Sequence, residues 1–192
     1  IMGERMGIDR IEAMARAGGF GVPTGINLPH ERSGLVPSKE WKMRAIGEPW
    51  QRGETLNVSI GQGFTQVTSV QIARYLAALL NGGRLLKLSL LLDAPVEEVG
   101  KLPSPQKDLD FILECMRLTV TGGTARVLDR PDAILGGKTG TAQVVKIGDV
   151  RLKTHEMEYR HRDHAWIATW ARQGAKSYVV VGMVEHGGGG AC

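Results

Sequence analysis

The sequence predicts an α+β protein in which an antiparallel sheet packs with helices, and three observations carry that prediction. Apolar residues recur at helical spacing before residue 121, most regularly at Ile72, Tyr75, Leu76, Leu79 and Leu80. From Gly136 onward the period changes to that of strands, with Trp166, Ala168 and Trp170 sharing one face. Between the last two strand-like runs, Gln173-Gly174-Ala175-Lys176 has the length of a hairpin turn, which makes those runs antiparallel neighbours.

In chain order, Ile8, Ile11 and Ala15 mark one face of an opening helix over 3–17, ended by the glycine-rich turn around 18–25. The density of Gly and Pro from there to 67 predicts an extended, loop-rich stretch. The second helix has Thr68 as its N-cap and Asn81-Gly82-Gly83 as its stop. A strand-like segment follows at 84–92. The third helix opens with Ser104 as cap and Pro105 at its first position, then buries Leu109, Ile112, Leu113, Met116 and Val120. Three β segments come last, at 137–147, 163–172 and 177–185; the third is almost wholly apolar, the pattern of a strand covered on both sides.

Composition excludes several classes. Hydrophobic residues at 42% and charged residues at 23% belong to a globular chain, not a disordered or coiled-coil one. The 24 basic and 20 acidic residues are interspersed, without a basic run carrying aromatics, so nucleic-acid binding is not expected. No apolar run reaches the roughly 18 residues of a membrane span; the longest, Leu85–Leu92, is broken by Lys87 and Ser89. Glycine is in excess, 26 of 192 or about 13.5%, against roughly 7% in average usage, and clusters without a repeat, as tight turns and close backbone approaches require.

Cys115, inside a helical pattern, reads as a small buried hydrophobe; Cys192 is the last residue, and the two form no C-x-x-C pair. His155, His161 and His164 lie near Glu156, Glu158 and Asp163, but their spacing fits a solvated loop better than a metal site. Gly61-Gln62-Gly63 is too short for a phosphate-binding fingerprint and reads as a shaped turn. No metal and no cofactor is expected.

The most informative segment is Gly136-Gly137-Lys138-Thr139-Gly140-Thr141-Ala142-Gln143. Lys138 supplies a cation that can orient a carboxylate or hold the proton balance of a nucleophile. Thr139 and Thr141 supply hydroxyls, and Gly140 lets another backbone lie along the strand edge, where an N–H can face a developing oxyanion. By itself the triplet is equally a strand with two threonines.

K-T-G is the third signature of the penicillin-recognising serine enzymes, beside S-x-x-K and S-x-N. The blocks around it also resemble class B penicillin-binding proteins, in the elongation-type branch: Met6-Gly7-Ile8-Asp9, Pro23-Thr24-Gly25-Ile26, Gly34-Leu35-Val36-Pro37-Ser38, Gly53 to Gly63, Gln71-Ile72-Ala73, Gly122-Gly123-Thr124-Ala125, and Arg162 to Trp166. Separated matches in the right order over nearly the whole chain are far more specific than the triplet.

The resemblance implies a partial penicillin-binding-protein or serine β-lactamase-like transpeptidase fold, with residues 1–192 as the C-terminal portion of a single transpeptidase domain lacking its N-terminal part and final helix. It implies a peptidoglycan D,D-transpeptidase acting through a serine acyl-enzyme, with stem peptides and β-lactams as ligands. A polymerising glycosyltransferase partner and a parent anchored in the inner membrane, facing the periplasm, are implied as well. Lys138 and the backbone N–H of Thr141 take catalytic roles by this carry-over; Thr139, Gly140 and Thr141 take substrate-binding ones. His164 takes a packing and orienting role.

The nucleophile is missing from the pattern. No S-x-N triplet occurs, and the one S-x-x-K, Ser104-Pro105-Gln106-Lys107, lies only 34 residues before Lys138 and is explained by helix capping. The chain opens inside a helical pattern and ends just after a strand, as if cut from something longer. The chain alone is therefore expected not to be acylated, and the strand at 177–185 to present an unpaired apolar edge. The alternative is a non-catalytic β-lactam-recognition or sensor domain that keeps K-T-G for binding; a class D β-lactamase fits the 18–67 block less well.

Overall fold

The computed structural model describes residues 2–145 and 154–190, in two compact units, Ile1–Pro105 and Gln106–Cys192. The first unit is mainly helical. The single helix expected over 3–17 is two, α1 (Met2–Met6) and α2 (Ile8–Ala17), because Gly7 between them has φ 76°, a left-handed backbone that no helix interior accommodates. Residues 18–67 are not all loop. They hold α3 (Lys39–Ile46) and α4 (Arg52–Ser59), started by local caps: the Ser38 hydroxyl accepts from Trp41 N–H at 3.0 Å, and Gln51 N–H donates to Glu54 Oε2 at 2.6 Å. Neither helix advertises an apolar stripe, because the buried side chain of α3 is Lys42. Its Nζ sits 2.6 Å from Glu54 and donates to Pro49 O at 3.0 Å.

Helix α5 (Ser69–Leu80) is the organiser of this unit. Thr68 and Gln71 form the reciprocal capping box, Gln71 N–H donating to Thr68 Oγ1 at 3.1 Å and Thr68 N–H to Gln71 Oε1 at 3.0 Å. Gln71 is 1% exposed, and its Nε2 donates to both Val22 O (2.8 Å) and Ser33 O (2.7 Å). One amide thus ties two loop segments to a helix whose apolar side, Leu76 and Leu79, is buried. The strand expected at 84–92 is only β1 (Arg84–Leu86), paired antiparallel with β2 (Glu98–Lys101), a strand too short and polar to read from the sequence. Leu90, Leu91 and Leu92, which had extended the apolar run, are exposed.

The second unit is α6 (Gln106–Thr121) against a three-stranded antiparallel sheet, β3 (Ile134–Ala142), β4 (His164–Gln173) and β5 (Lys176–Val184), in the order β3-β4-β5. Helix α6 starts one residue beyond Pro105 and buries Leu109, Leu113 and Val120. Ile112 is over a third exposed, and Cys115 is exposed too, against the expectation of burial. The adjacent-residue register of β3 on β4 puts Gly136 opposite Trp170 and Gly140 opposite Trp166. This spacing is steric: a Cβ at Gly136 would lie 2.4 Å from the Trp170 ring, which is 4% exposed. The β4–β5 hairpin closes on Gln173 and Lys176, as expected. Among the described residues β5 pairs on one side only, so it is an edge and not the central strand its composition suggests. Tyr178, Val180 and Val184 stand half or more exposed along it. No helix among the described residues is long and apolar enough to cross a membrane.

Candidate active site

The K-T-G segment lies in the C-terminal half of β3, at the end of the sheet where β4 begins. Strand alternation divides its side chains: Lys138 and Gly140 face one way, Thr139 and Thr141 the other. Lys138 is exposed, and its Nζ donates to Thr139 O at 2.6 Å. The outer edge of β3 has no partner strand among the described residues.

On the opposite face the Thr139 hydroxyl lies 2.9 Å from the Thr124 hydroxyl. Thr124 follows α6, which packs on β3; Val120 at its end is fully buried, 3.7 Å from where a Cβ of Gly137 would be. The Gly122-Gly123-Thr124-Ala125 block thus delivers a hydroxyl to the K-T-G strand. The sequence does not point to this pairing, because no local pattern links residues 15 apart. Thr141 is exposed, and its Oγ1 accepts from Gly190 N–H at 3.4 Å.

His164 opens β4 opposite Ala142. Its Nδ1 accepts from His186 N–H at 2.9 Å, and the two rings are 4.9 Å apart. His186 Nδ1 lies 3.1 Å from Arg162 O, and its ring is 5.1 Å from that of Tyr159. This stack fastens the turn after β5 to the start of β4. The other two histidines lie exposed in the loop between β3 and β4, as expected, His155 in the turn Thr154–Glu156 and His161 in the turn Tyr159–His161. Ser104 precedes α6 as a half-buried loop residue, and Lys107 is exposed on the first turn. Cys192 lies outside the described residues.

A helix-backed antiparallel sheet carrying K-T-G-T on an edge strand, with a hydroxyl partner from a G-G-T-A turn, defines a domain of the penicillin-recognising class. The chain belongs to the penicillin binding protein transpeptidase domain family, which it matches over residues 1–191. Within that family it is similar to the peptidoglycan D,D-transpeptidase MrdA of Acinetobacter baumannii, with 34% identity over 97% of this chain and 30% of the relative. Among solved structures it resembles the penicillin-binding protein PBP2 from Helicobacter pylori, with a TM-score of 0.82 and 31% identity over 98% of this chain and 34% of the other. A third similar structure is described as a peptidoglycan synthase complex that coordinates polymerization and crosslinking; the TM-score is 0.73 and the identity 35%, over 96% of this chain and 30% of the other. The chain spans about a third of the length of these proteins. These relatives favour a transpeptidase over a sensor domain.

Proposed function

We propose that residues 1–192 are the C-terminal portion of a single transpeptidase domain, and that the whole protein cross-links peptidoglycan stem peptides through a serine acyl-enzyme. The observation that carries this reading is the K-T-G-T strand with an open outer edge, along which an extended peptide can add as a further strand. Gly140 leaves that approach clear. Thr139 and Thr141 bind the terminal carboxylate of the peptide, Thr124 holding the Thr139 hydroxyl, while Lys138 sets the charge beside the nucleophile. A serine outside this chain attacks the penultimate D-alanine carbonyl; the C–N bond breaks, D-alanine leaves with a proton on its amine, and a neighbouring stem's amine takes the acyl group from the serine. The Thr141 N–H is one oxyanion donor. A β-lactam opens on the same serine.

The name borne by the MrdA relatives supports the reaction, and the polymerising assembly among the structural neighbours supports a glycosyltransferase partner. With it goes a parent anchored in the inner membrane, acting on the periplasmic face. Labelling with a fluorescent penicillin, resolved by denaturing electrophoresis, tests the reading. The full-length protein carrying this chain is labelled, and Lys138→Ala slows labelling by about a hundredfold or more. The 192-residue chain alone gives an unlabelled band. Stoichiometric labelling of that chain would refute the absence of a nucleophile, and full-rate labelling of Lys138→Ala would remove Lys138 from the site.

A further inference from the structure

A cavity of about 580 Å³ in the first unit, away from the K-T-G strand in sequence and built from other elements, is lined by four cations: Arg16, Arg74, Lys87 and Lys101. Glu97 is the one carboxylate in its wall. Arg74 is the unusual member. It is 5% exposed, rises from α5, and donates from one terminal nitrogen to Gly19 O at 2.6 Å and from the other to Thr24 O at 3.4 Å. Its Nε is buried with no hydrogen-bond partner among the described residues. An unsatisfied guanidinium N–H in a buried position is costly, and the positive charge of this side chain favours an anion beside it.

The carboxylates behind these cations do not close the cavity. Glu31 stands beside Arg74 but is engaged by Thr24 N–H (2.6 Å), the Thr24 hydroxyl and Gly25 N–H (3.2 Å). Glu12 holds Arg16 Nε at 2.8 Å from along α2 and faces a different cavity. Glu97 holds Lys87 at 2.9 Å, with both side chains about half exposed, so this pair can part at little cost. Lys101, at the end of β2, has no ion-pair partner among the described residues.

We propose that this cavity is an anion site for a phosphate-class group, phosphate or diphosphate, held between Arg74 at its base and Arg16, Lys87 and Lys101 at its rim. A neighbouring cavity of about 690 Å³ shares Gly25, Lys87 and Glu97 and is walled by Leu28, Leu88, Leu90 and Leu91. The phosphate therefore arrives either free or as the head group of a lipid whose chain lies on those leucines.

Calorimetric titration of the 192-residue chain with inorganic diphosphate, at constant ionic strength and against chloride, tests the free form. Sedimentation with phosphatidylglycerol vesicles, against uncharged phosphatidylcholine ones, tests the lipid form. The variants are Lys101→Gln and Arg16→Gln, both on exposed stems, and Glu97→Gln; circular dichroism checks that each keeps its fold. Saturable diphosphate binding, weakened about tenfold in the double variant and strengthened in Glu97→Gln, supports a free ligand. Vesicle binding that the double variant abolishes supports the lipid head group. Binding in neither assay, or binding that the double variant leaves unchanged, overturns the site.

Discussion

The strand that carries K-T-G is held in register by a glycine facing a tryptophan, and the tightness of that contact gives a sharp prediction. In Gly136→Ala the new Cβ falls 2.4, 2.5 and 2.6 Å from Cε2, Nε1 and Cζ2 of Trp170. Carbon atoms in good contact sit about 3.5–4.0 Å apart, so the ring must retreat by more than about 1 Å. It has little room to do so, being 4% exposed with the Arg172 guanidinium 5.5 Å from its centroid. Overpacking of this kind costs about 1–3 kcal/mol, here near the upper end, and the gain from replacing a strand glycine returns only about 0.5–1 kcal/mol. The net loss is about 2 kcal/mol.

The cycle with Trp170→Ala separates this clash from any other effect. Trp170→Ala alone costs about 3–5 kcal/mol by emptying its site. In that background the alanine at 136 meets nothing, so the double variant is as stable as Trp170→Ala or slightly more so, a coupling of about 2–3 kcal/mol. Urea unfolding followed by far-UV circular dichroism measures the change, with amide exchange across 134–142 and 164–173 as a local readout, since the chain has two compact units. An unchanged midpoint for Gly136→Ala, or the same loss in both backgrounds, refutes the packing argument. A positive result predicts further that Gly136→Ala displaces β3 and slows penicillin labelling of the full-length protein.

Three further predictions concern polar groups. Gln71→Leu keeps the volume but leaves Val22 O, Ser33 O and Thr68 N–H without their partner, for a loss of about 2–5 kcal/mol in denaturant unfolding; a loss under about 1 kcal/mol means that water replaces the amide. Thr124→Val removes the hydroxyl bonded to Thr139 and costs about 1 kcal/mol, while Thr124→Ser keeps it and stays near wild type; equal losses in thermal melts dismiss the bond. Burial raises the Glu31 pKa, but the Thr24 hydroxyl and N–H, Gly25 N–H and the Arg74 charge outweigh it, so the carboxyl titrates below the ordinary glutamate range. Its stabilisation is complete above about pH 4.3 and disappears as pH falls through the lower folded value. Stability of Glu31→Gln should fall less steeply below about pH 4.5 than that of wild type, and parallel curves would remove Glu31 from the acid transition.

Elements with strong local signals were legible from sequence: α5 through Thr68 and its 3.6-residue stripe, the β4–β5 hairpin through Gln173 to Lys176, and the K-T-G strand through its motif. The missed helix α3 has an identifiable physical cause. In α3 the inward face is a lysine whose ammonium is satisfied by Glu54 and Pro49 O, a pairing across a turn that no hydrophobic period reveals. Cys115 and Ile112 fail in the opposite direction: both have the composition of core residues, but α6 is covered on one side and they lie off it.

The site was legible as a motif and not as a geometry. Strand alternation puts the hydroxyls of Thr139 and Thr141 on the face opposite the Lys138 side chain, an arrangement that the motif by itself does not state. In the proposed reading, a peptide pairing with the edge of β3 meets Lys138 on one side and Thr139 and Thr141 on the other, so its register along the strand fixes which of its atoms faces each group. Thr124, fixed by the end of α6, and the Gly136–Trp170 contact, fixed by β4, hold that edge straight from its two covered sides.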